Sequence, residues 1–278
     1  MSTSLINGAS ATVIPISDRA FQYGDGVFET LRIVNGRATL WEQHRRRLLA
    51  GCRFLQIAVD EISLAQEFQQ LLAGNAPNGI AKILISRGSG GRGYQPPAQE
   101  APQRILQFHP WPDNLDLPAG QGIRARLCKH PLSRNPALTR YKHLCRLDQV
   151  IASAELNGDI REGVMQIDSG QVIEGTRSNL FLVVEGRLTT PALTEAGIHG
   201  VMREYLLQQF ASAGVTVDER AVTVSELQNA QELFFCNSVF GVWPVTELEL
   251  GKQVVRYTIG PRALEAGSYV EDAFHKQN

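Results

Sequence analysis

The segment around Lys142 carries the residue type best suited to covalent chemistry. Lys142 is flanked by two cations, Arg140 and Arg146, and the apolar spacing from His143 onward predicts a helix that begins just after the lysine. A helix N-terminus and nearby positive charges both disfavour the ammonium form of a lysine, and the neutral amine is the nucleophile that a Schiff base requires. Taken alone, a solvated lysine at a helix start is the alternative.

A carboxylate ends an apolar strand 32 residues after Lys142. Glu174 closes the run Gln171-Val172-Ile173, and a carboxylate at that place needs a partner if it is buried. The protonated ring nitrogen of a pyridine cofactor is one such partner, and an ion pair with Arg177 is the alternative. Together, Lys142 and Glu174 favour chemistry on pyridoxal phosphate.

Two further stretches have the composition of anion-binding sites. The glycine-containing stretch from Gly197 to Met202 leads into a helix predicted to run through Phe210, and the free N–H groups of a helix start attract anions. Arg47 belongs to a run of three arginines that is typical of a solvated face. With His44 and Leu48 on the apolar face of that helix, however, Arg47 lies at the boundary and is predicted to turn inward to a phosphate.

A glycine motif in the first half resembles a dinucleotide-binding loop. Gly88–Gly93 matches G-x-G-x-x-G and follows a predicted strand, but Pro96 and Pro97 prevent the helix that such a site needs at its third glycine. We therefore predict a flexible loop, and a plain surface loop is the alternative. The loop carries cationic and aromatic side chains suited to gripping a substrate carboxylate: Arg87, Arg92 and Tyr94.

The composition restricts the class of protein. The 278 residues carry a net charge of -1 and are 43% apolar, which argues against nucleic acid as a partner and leaves small molecules or further copies of the chain. No apolar run reaches the roughly 20 residues needed to span a membrane, and residues 1–10 do not resemble a signal peptide, so a cytoplasmic protein without a membrane partner is expected. The histidines and cysteines lack metal-binding spacing, and no metal is predicted.

The hydrophobic periodicity predicts a mixed α/β (α+β) fold with two unequal domains. Helical faces run over 41–57 and 62–72, and strands alternate around them. A stretch rich in proline and glycine separates the halves. The predicted organisation is an N-terminal α+β domain over 1–112, a linker over 113–122 and a larger C-terminal domain over 123–278.

The motifs in their order resemble the fold type IV pyridoxal-phosphate enzymes, which include branched-chain and D-amino acid aminotransferases and 4-amino-4-deoxychorismate lyases. The resemblance extends over nearly the whole chain, and its motifs include Ser17-Asp18-Arg19-Ala20, Tyr23 to Glu29, His44 to Leu48, Lys142, Glu174 to Phe181 and Gly200 to Arg203. The lyase branch is the most similar, through Ile85 to Tyr94, Leu132 to Pro136, Lys142 to Val150 and Cys236 to Val245. The resemblance implies a C-terminal pseudo-barrel.

The resemblance also implies roles for individual residues. Lys142 would hold pyridoxal 5'-phosphate covalently and act as the catalytic base, and Glu174 would pair with the pyridine nitrogen. The remaining cofactor-binding set is implied to be Arg47, Val201, Met202, Asn237 and Ser238, and the substrate-binding set Phe28, Arg87, Arg92 and Tyr94. Ser238 stands where the aminotransferases often have threonine, so a hydroxyl is kept.

For the lyase branch, the resemblance implies conversion of 4-amino-4-deoxychorismate to 4-aminobenzoate and pyruvate, a step toward folate. It further implies a homodimer in which the loop around Arg92 contributes to the neighbouring site. The first alternative is an aminotransferase, which would use the same lysine with two successive substrates. The second is a scaffold that binds the cofactor without catalysis.

Overall fold

The computed structural model describes residues 3–112, 115 and 121–275. The chain divides into unit 1, Met1–Asp113 with Tyr141–Cys145, and unit 2, Asn114–Arg140 with Arg146–Asn278. Most of the linker predicted over 113–122 lies outside the described residues. The segment Tyr141–Cys145, which the sequence-based boundaries put in the C-terminal domain, belongs to unit 1.

Unit 1 contains an antiparallel sheet of six strands within residues 3–112, in the order β2-β1-β6-β5-β3-β4. Its long central pair is antiparallel and runs from Gly26 opposite Ser86 to Ile33 opposite Gly79. A turn at Asn35-Gly36 follows, with φ of 51° and 77° at the two residues. The strands are β1 (Thr3–Ile6), β2 (Ala9–Ser10), β3 (Gly26–Val34), β4 (Arg37–Ala38), β5 (Gly79–Ser86) and β6 (Gln103–His109).

The helices of unit 1 are α1 (Arg19–Tyr23), α2 (Trp41–Phe54) and α3 (Glu61–Ala73). Asp60 caps α3 by accepting hydrogen bonds from two N–H groups of its first turn. The ring of Trp41 stacks on that of Phe68 with 4.4 Å between centroids, next to the inward-facing residues of β3 and β5. The two predicted helical faces therefore cover one side of the sheet.

Unit 2 contains a larger sheet, in which nine strands of residues 121–275 follow the order β12-β11-β10-β14-β15-β7-β8-β9-β13 and β16 pairs with β15. The mixed α/β class is confirmed. The strands are β7 (Ile123–Leu127), β8 (Ile160–Gln166), β9 (Gln171–Gly175), β10 (Asn179–Val184), β11 (Arg187–Pro191), β12 (Val217–Arg220), β13 (Val222–Thr223), β14 (Glu232–Asn237), β15 (Gly241–Leu250) and β16 (Gln253–Arg256).

The helices of unit 2 are α4 (Leu147–Ser153), α5 (Val201–Ser212), α6 (Val224–Asn229) and α7 (Pro261–His275). A capping box starts α6, formed by Thr223 and Glu226. Buried aromatic side chains line the interior, and the rings of Phe181 and Phe234 stack at 5.3 Å.

Neither a membrane span nor a metal cluster is found in the described ranges. No helix there combines the length and apolar composition needed to cross a bilayer. The same residues contain no group of three or more His, Cys, Asp or Glu side chains arranged to hold a metal ion. All four cysteines are free thiols; Cys52, Cys128 and Cys236 are buried and Cys145 is exposed.

Candidate active site

Lys142 is held in an extended segment against the start of β3. The N–H of Phe28 donates to the carbonyl of Lys142 at 2.9 Å, and the N–H of Leu144 donates to the carbonyl of Gly26 at 3.0 Å. Nζ of Lys142 lies 4.5 Å from the centroid of the Phe28 ring. A side chain at position 26 could not be accommodated, because its Cβ would lie 2.2 Å from the carbonyl oxygen of Ile85.

The helix predicted from His143 is wrong, because α4 begins only at Leu147. The backbone of His143 instead pairs with Val27 in an isolated antiparallel bridge, which keeps the segment extended. A helix dipole acts within its first turn, so it does not explain the reactivity of Lys142. The lysine is positioned by strand pairing.

Arg47 turns inward from α2, as predicted, and is held by a buried carboxylate. Its Nε and Nη2 atoms donate to the two oxygens of Glu29 at 2.7 and 2.6 Å. Nδ1 of His44, one turn earlier on α2, lies 2.7 Å from Oε2 of the same carboxylate. Glu29 and His44 are each 1% exposed. The guanidinium of Arg47 is therefore fixed before any ligand reaches it.

Sequence reasoning missed Glu29 and His44 as members of the site. Glu29 occupies an inward position of β3, between Val27 and Leu31, where an alternating strand normally places apolar residues. A carboxylate at such a position was the signal that could have pointed to a buried cationic partner. His44 and Arg47 lie three residues apart on one helix face, the spacing that lets both reach one group.

The protonation of this cluster follows from its burial and charges. Burial raises the pKa of Glu29, but the nearby charges and hydrogen bonds of Arg47 and His44 outweigh it and lower that pKa to about 2. Burial lowers the pKa of His44, and the charges of Arg47 and Lys142 add to this while Glu29 opposes it. Glu29 is therefore ionised at neutral pH, and Nδ1–H of a neutral His44 donates to it.

Glu174 ends β9 in a buried position, with 3% of its surface exposed. Its Oε2 accepts a hydrogen bond from the N–H of Ile198 at 2.7 Å, and its Oε1 accepts one from Nε2 of Gln149 at 3.4 Å. Gly197 has a φ of 89°, and a Cβ there would lie 3.2 Å from Oε2 of Glu174. The chain thus closes around this carboxylate and fixes its orientation.

The alternative ion pair of Glu174 with Arg177 is wrong. Nε of Arg177 lies 3.5 Å from Oε2 of Glu162, and its Nη2 donates to the carbonyl of Arg161 at 2.9 Å. Glu162 is fully buried and also accepts hydrogen bonds from Thr176. The charge of Arg177 is therefore directed at a different carboxylate.

The start of α5 presents N–H groups that no side chain caps. Val201 and Met202 are its first two residues, and both are buried. Gly200 precedes them, and a Cβ at that position would lie 1.9 Å from Oδ1 of Asn179, so only glycine fits. The first N–H groups of a helix point along its axis and suit an anion.

Ser238 lies in a tight turn that Asn237 shapes. Oδ1 of Asn237 accepts hydrogen bonds from the N–H groups of Val239 and Phe240 at 2.9 and 2.8 Å, and its Nδ2 donates to the carbonyl of Arg177 at 3.2 Å. Both polar atoms of the Asn237 side chain are thus engaged by the protein. The structure thus shows Asn237 as a turn residue, and its role as a cofactor ligand stays a prediction.

Arg87, which the sequence predicts as a substrate ligand, is bound by side chains and carbonyls of unit 1. Its guanidinium donates to both oxygens of Asp25 at 2.8 and 3.1 Å, to a carboxylate oxygen of Glu100, and to the carbonyls of Leu55 and Gln56 at 2.7 and 3.3 Å. Only 4% of its surface is exposed. These contacts engage all three of its nitrogens and bury them, so the interactions that the structure shows for Arg87 lie within unit 1.

Arg92 and Tyr94 stand on the surface of unit 1. Tyr94 is 86% exposed, and its ring packs edge-on against that of Tyr23 with 5.5 Å between centroids. Arg92 is exposed and exchanges backbone hydrogen bonds with Gln95 at 3.2 Å in both directions. No helix follows Gly93, and the next strand begins at Gln103, in agreement with the rejection of a dinucleotide site.

Comparison with known proteins relates the chain to one enzyme family. The family described as Amino-transferase class IV matches residues 26–248. An aminodeoxychorismate lyase of Vibrio harveyi is 33% identical over 92% of this chain and 94% of that protein. The crystal structure of 4-amino-4-deoxychorismate lyase from Pseudomonas aeruginosa superposes with a TM-score of 0.90, 39% identity and coverage of 97% and 98%. A D-alanine aminotransferase of Bacillus licheniformis is 26% identical over 86% of this chain and 84% of that protein.

The charge of Glu29 gives a prediction for stability. At neutral pH, Glu29→Gln is expected to lower the free energy of unfolding by about 3 to 5 kcal/mol, because it breaks a buried ion pair. A carboxyl whose pKa is lowered by folding stabilises the protein above its unfolded pKa, near 4.5, and loses that effect as pH falls toward about 2. Denaturant titrations at several pH values should show the gap between wild type and variant shrinking across that window.

The control is Glu42→Gln, which removes a carboxylate at an exposed position of the same helix as Arg47. This variant should stay close to the wild type at neutral pH. A gap for Glu29→Gln that stays constant as the solution is acidified would contradict the assignment of an ionised, buried Glu29.

Proposed function

Because the chain belongs to the Amino-transferase class IV family, we propose that it is a pyridoxal-5'-phosphate-dependent lyase that converts 4-amino-4-deoxychorismate to 4-aminobenzoate and pyruvate. The observation that carries the proposal is full-length similarity to the Pseudomonas aeruginosa lyase, at 39% identity over 97% of this chain. The reaction supplies 4-aminobenzoate for folate synthesis. The four free thiols fit a reducing compartment, and we place the enzyme in the cytoplasm.

The side chains and N–H groups predicted to bind the cofactor have the chemistry that it needs. A lysine amine suits its aldehyde carbon, and the buried, oriented carboxylate of Glu174 suits its protonated ring nitrogen. Its phosphate suits the guanidinium of Arg47 together with the uncapped start of α5 and a hydroxyl. We assign the cofactor to Lys142, Glu174, Arg47, Val201, Met202 and Ser238.

In the proposed reaction, Glu174 binds the cofactor and Lys142 transfers protons. When bound, pyridoxal phosphate withdraws electrons from the substrate carbon that carries the amine. Glu174 keeps a proton on the ring nitrogen. The amine of Lys142 would remove the proton at C4 of the substrate as a general base. Loss of the enolpyruvyl group then makes the ring aromatic, and Lys142 or a water molecule protonates the product that becomes pyruvate.

The substrate carries carboxylates, and Arg92 is the cation we propose to hold one of them through a forked contact. Tyr94 and Phe28 complete the substrate-binding set in this proposal. The ring of Phe28 lies 4.5 Å from Nζ of Lys142, which supports its place beside the reacting atoms.

An aminotransferase is the second candidate, and it is favoured by the similarity to a D-alanine aminotransferase over 86% of this chain. It would use Lys142 to move a proton between the substrate and the cofactor. The two candidates differ in their need for a second substrate, because only the aminotransferase requires a keto acid as acceptor.

A product assay separates the candidates. The purified holoenzyme is incubated with freshly made 4-amino-4-deoxychorismate and no keto acid, and 4-aminobenzoate and pyruvate are quantified. We expect the two products in equal amounts. Turnover that depends on added 2-oxoglutarate or pyruvate would overturn the lyase as the main function.

Replacement of the lysine tests its two roles. We expect Lys142→Ala to lose the visible absorbance of the bound cofactor and at least about 10³-fold in turnover, because both the covalent attachment and the base are removed. Circular dichroism should be unchanged, and Lys252→Ala, at an exposed position, serves as the control. A wild-type protein that shows cofactor absorbance but no turnover with any amine would instead support the non-catalytic scaffold.

We propose that the enzyme is a homodimer in which Arg92 acts in the neighbouring site. Four of the large apolar side chains on unit 1 that are more than 70% exposed are the groups that a subunit contact would bury. They are Val13 at 79%, Ile16 at 83%, Phe21 at 71% and Tyr94 at 86% exposure.

Subunit mixing tests this arrangement. Lys142→Ala and Arg92→Ala are each expected to be nearly inactive, but a heterodimer would contain one site with both wild-type residues. After random reassortment the mixture should recover about a quarter of wild-type activity, since half of the dimers carry one intact site of two. Activity that stays at the average of the two variants would show that Arg92 acts in its own subunit.

A further inference from the structure

We propose that Arg19 is the positioning residue of the loop that bears Arg92 and Tyr94. The loop is defined as Gly88–Gln95 and is called the glycine loop. The proposal rests on the function proposed above, since it takes Arg92 as the ligand of a substrate carboxylate. It adds the residue that sets where Arg92 stands.

The glycine loop folds around the guanidinium of Arg19. Nη1 of Arg19 donates to the carbonyls of Gly90 at 3.3 Å, Gly93 at 3.0 Å and, at the limit of a hydrogen bond, Gln95 at 3.5 Å. Its Nη2 donates to the carbonyl of Tyr94 at 3.1 Å. Only 3% of Arg19 is exposed. One side chain therefore binds the backbone on both sides of Arg92.

The backbone of the loop explains its glycines. The φ angles are 114° at Gly90, 84° at Gly91 and 58° at Gly93, a region that favours glycine. A Cβ at Gly91 would lie 2.3 Å from the carbonyl oxygen of Gln95 and 3.0 Å from Nη1 of Arg19. These conformations turn carbonyl oxygens toward a cation. A nucleotide-binding loop has the opposite polarity, because it turns N–H groups toward a phosphate.

The base of the loop is tied to the same network. Nε of Arg19 donates to Oδ2 of Asp25 at 2.8 Å, and Asp25 accepts two further hydrogen bonds from Arg87, which directly precedes the loop. Arg87 also pairs with Glu100, beyond the far end of the loop. The N–H of Arg19 donates to the carbonyl of Gly88 at 2.9 Å. The two ends of the glycine loop are therefore held by hydrogen bonds, while its middle, with Arg92, is exposed.

The tip of the loop carries the side chains that reach a ligand. Arg92 and Tyr94 are exposed, while the guanidinium of Arg19 lies 5.0 Å from the centroid of the Tyr23 ring, which in turn packs against Tyr94. A substrate contact made from a fixed loop loses less conformational entropy than one made from a mobile loop. Arg19 therefore contributes to substrate affinity without touching the substrate.

Lysine cannot replace Arg19 in this role, because one ammonium group on a flexible stem cannot serve Asp25 and several loop carbonyls in a fixed plane. The test variant is Arg19→Lys. Its matched control is Arg104→Lys, since Arg104 is another arginine of unit 1 in a two-bond pair with a buried carboxylate, Glu67, at 2.9 and 2.7 Å. Neither variant changes the number of tryptic sites.

Two measurements are made on the holoenzymes. The first is the rate of tryptic cleavage at the bond between Arg92 and Gly93, identified by mass spectrometry. The second is the separate determination of KM and kcat for the lyase reaction. We expect Arg19→Lys to raise the cleavage rate and to raise KM about tenfold, the effect of one misplaced charged contact, with kcat changed less than about twofold. The cofactor absorbance should be unchanged.

The proposal is overturned if cleavage and KM stay at wild-type values, if the loop loosens without a rise in KM, or if Arg104→Lys gives the same changes. Failure of the proposed function is distinguishable, because a wild type without lyase turnover would leave the cleavage measurement intact. The KM comparison is then made with the amino acid that the enzyme transaminates, because Arg92 would bind the carboxylate of that substrate in the same way.

Discussion

The buried backbone N–H and C=O groups at the start of β3 need hydrogen-bond partners, and the choice of those partners fixes the position of Lys142 in unit 1. The segment from Lys142 to Leu144 supplies two of the partners. These two hydrogen bonds place Lys142 opposite Phe28 of β3. The next residue, Glu29, points to the opposite face of β3 and holds Arg47. Four consecutive strand positions therefore determine where the amine stands and how the guanidinium is oriented.

Buried charges in this fold are held in more than one way. Glu29 is balanced by the charge of Arg47 and by the ring of His44, and this keeps it ionised despite its burial. Glu174 is oriented by a backbone N–H and the amide of Gln149. A buried carboxylate costs several kcal/mol unless it is paired, and an apolar residue in its place often stabilises a protein more. Their presence is therefore better explained by function than by stability.

Local patterns predicted much of the fold because they depend on neighbouring residues. The alternation in β3, the helical spacing in α2 and the Asn35-Gly36 turn all lie within a few positions of one another. The helix predicted from His143 failed because its apolar spacing competes with pairing to Val27, a partner more than a hundred residues away. The long helix α7 was not predicted.

A sequence can suggest the residues that bind a ligand more readily than the residues that position those side chains. Lys142, Glu174 and Arg47 are visible from residue type and spacing, and the structure adds the protein groups that hold each of them. Arg87 shows the limit of that reasoning, because an arginine beside a glycine motif gives no sign of whether its partners are a ligand or the protein. The loop carbonyls that the guanidinium of Arg19 binds lie more than 70 residues away along the chain. Its role follows only from the loop that it binds. In a nucleotide-binding loop of this glycine pattern the N–H groups face a phosphate, whereas here the carbonyl oxygens face the guanidinium of Arg19.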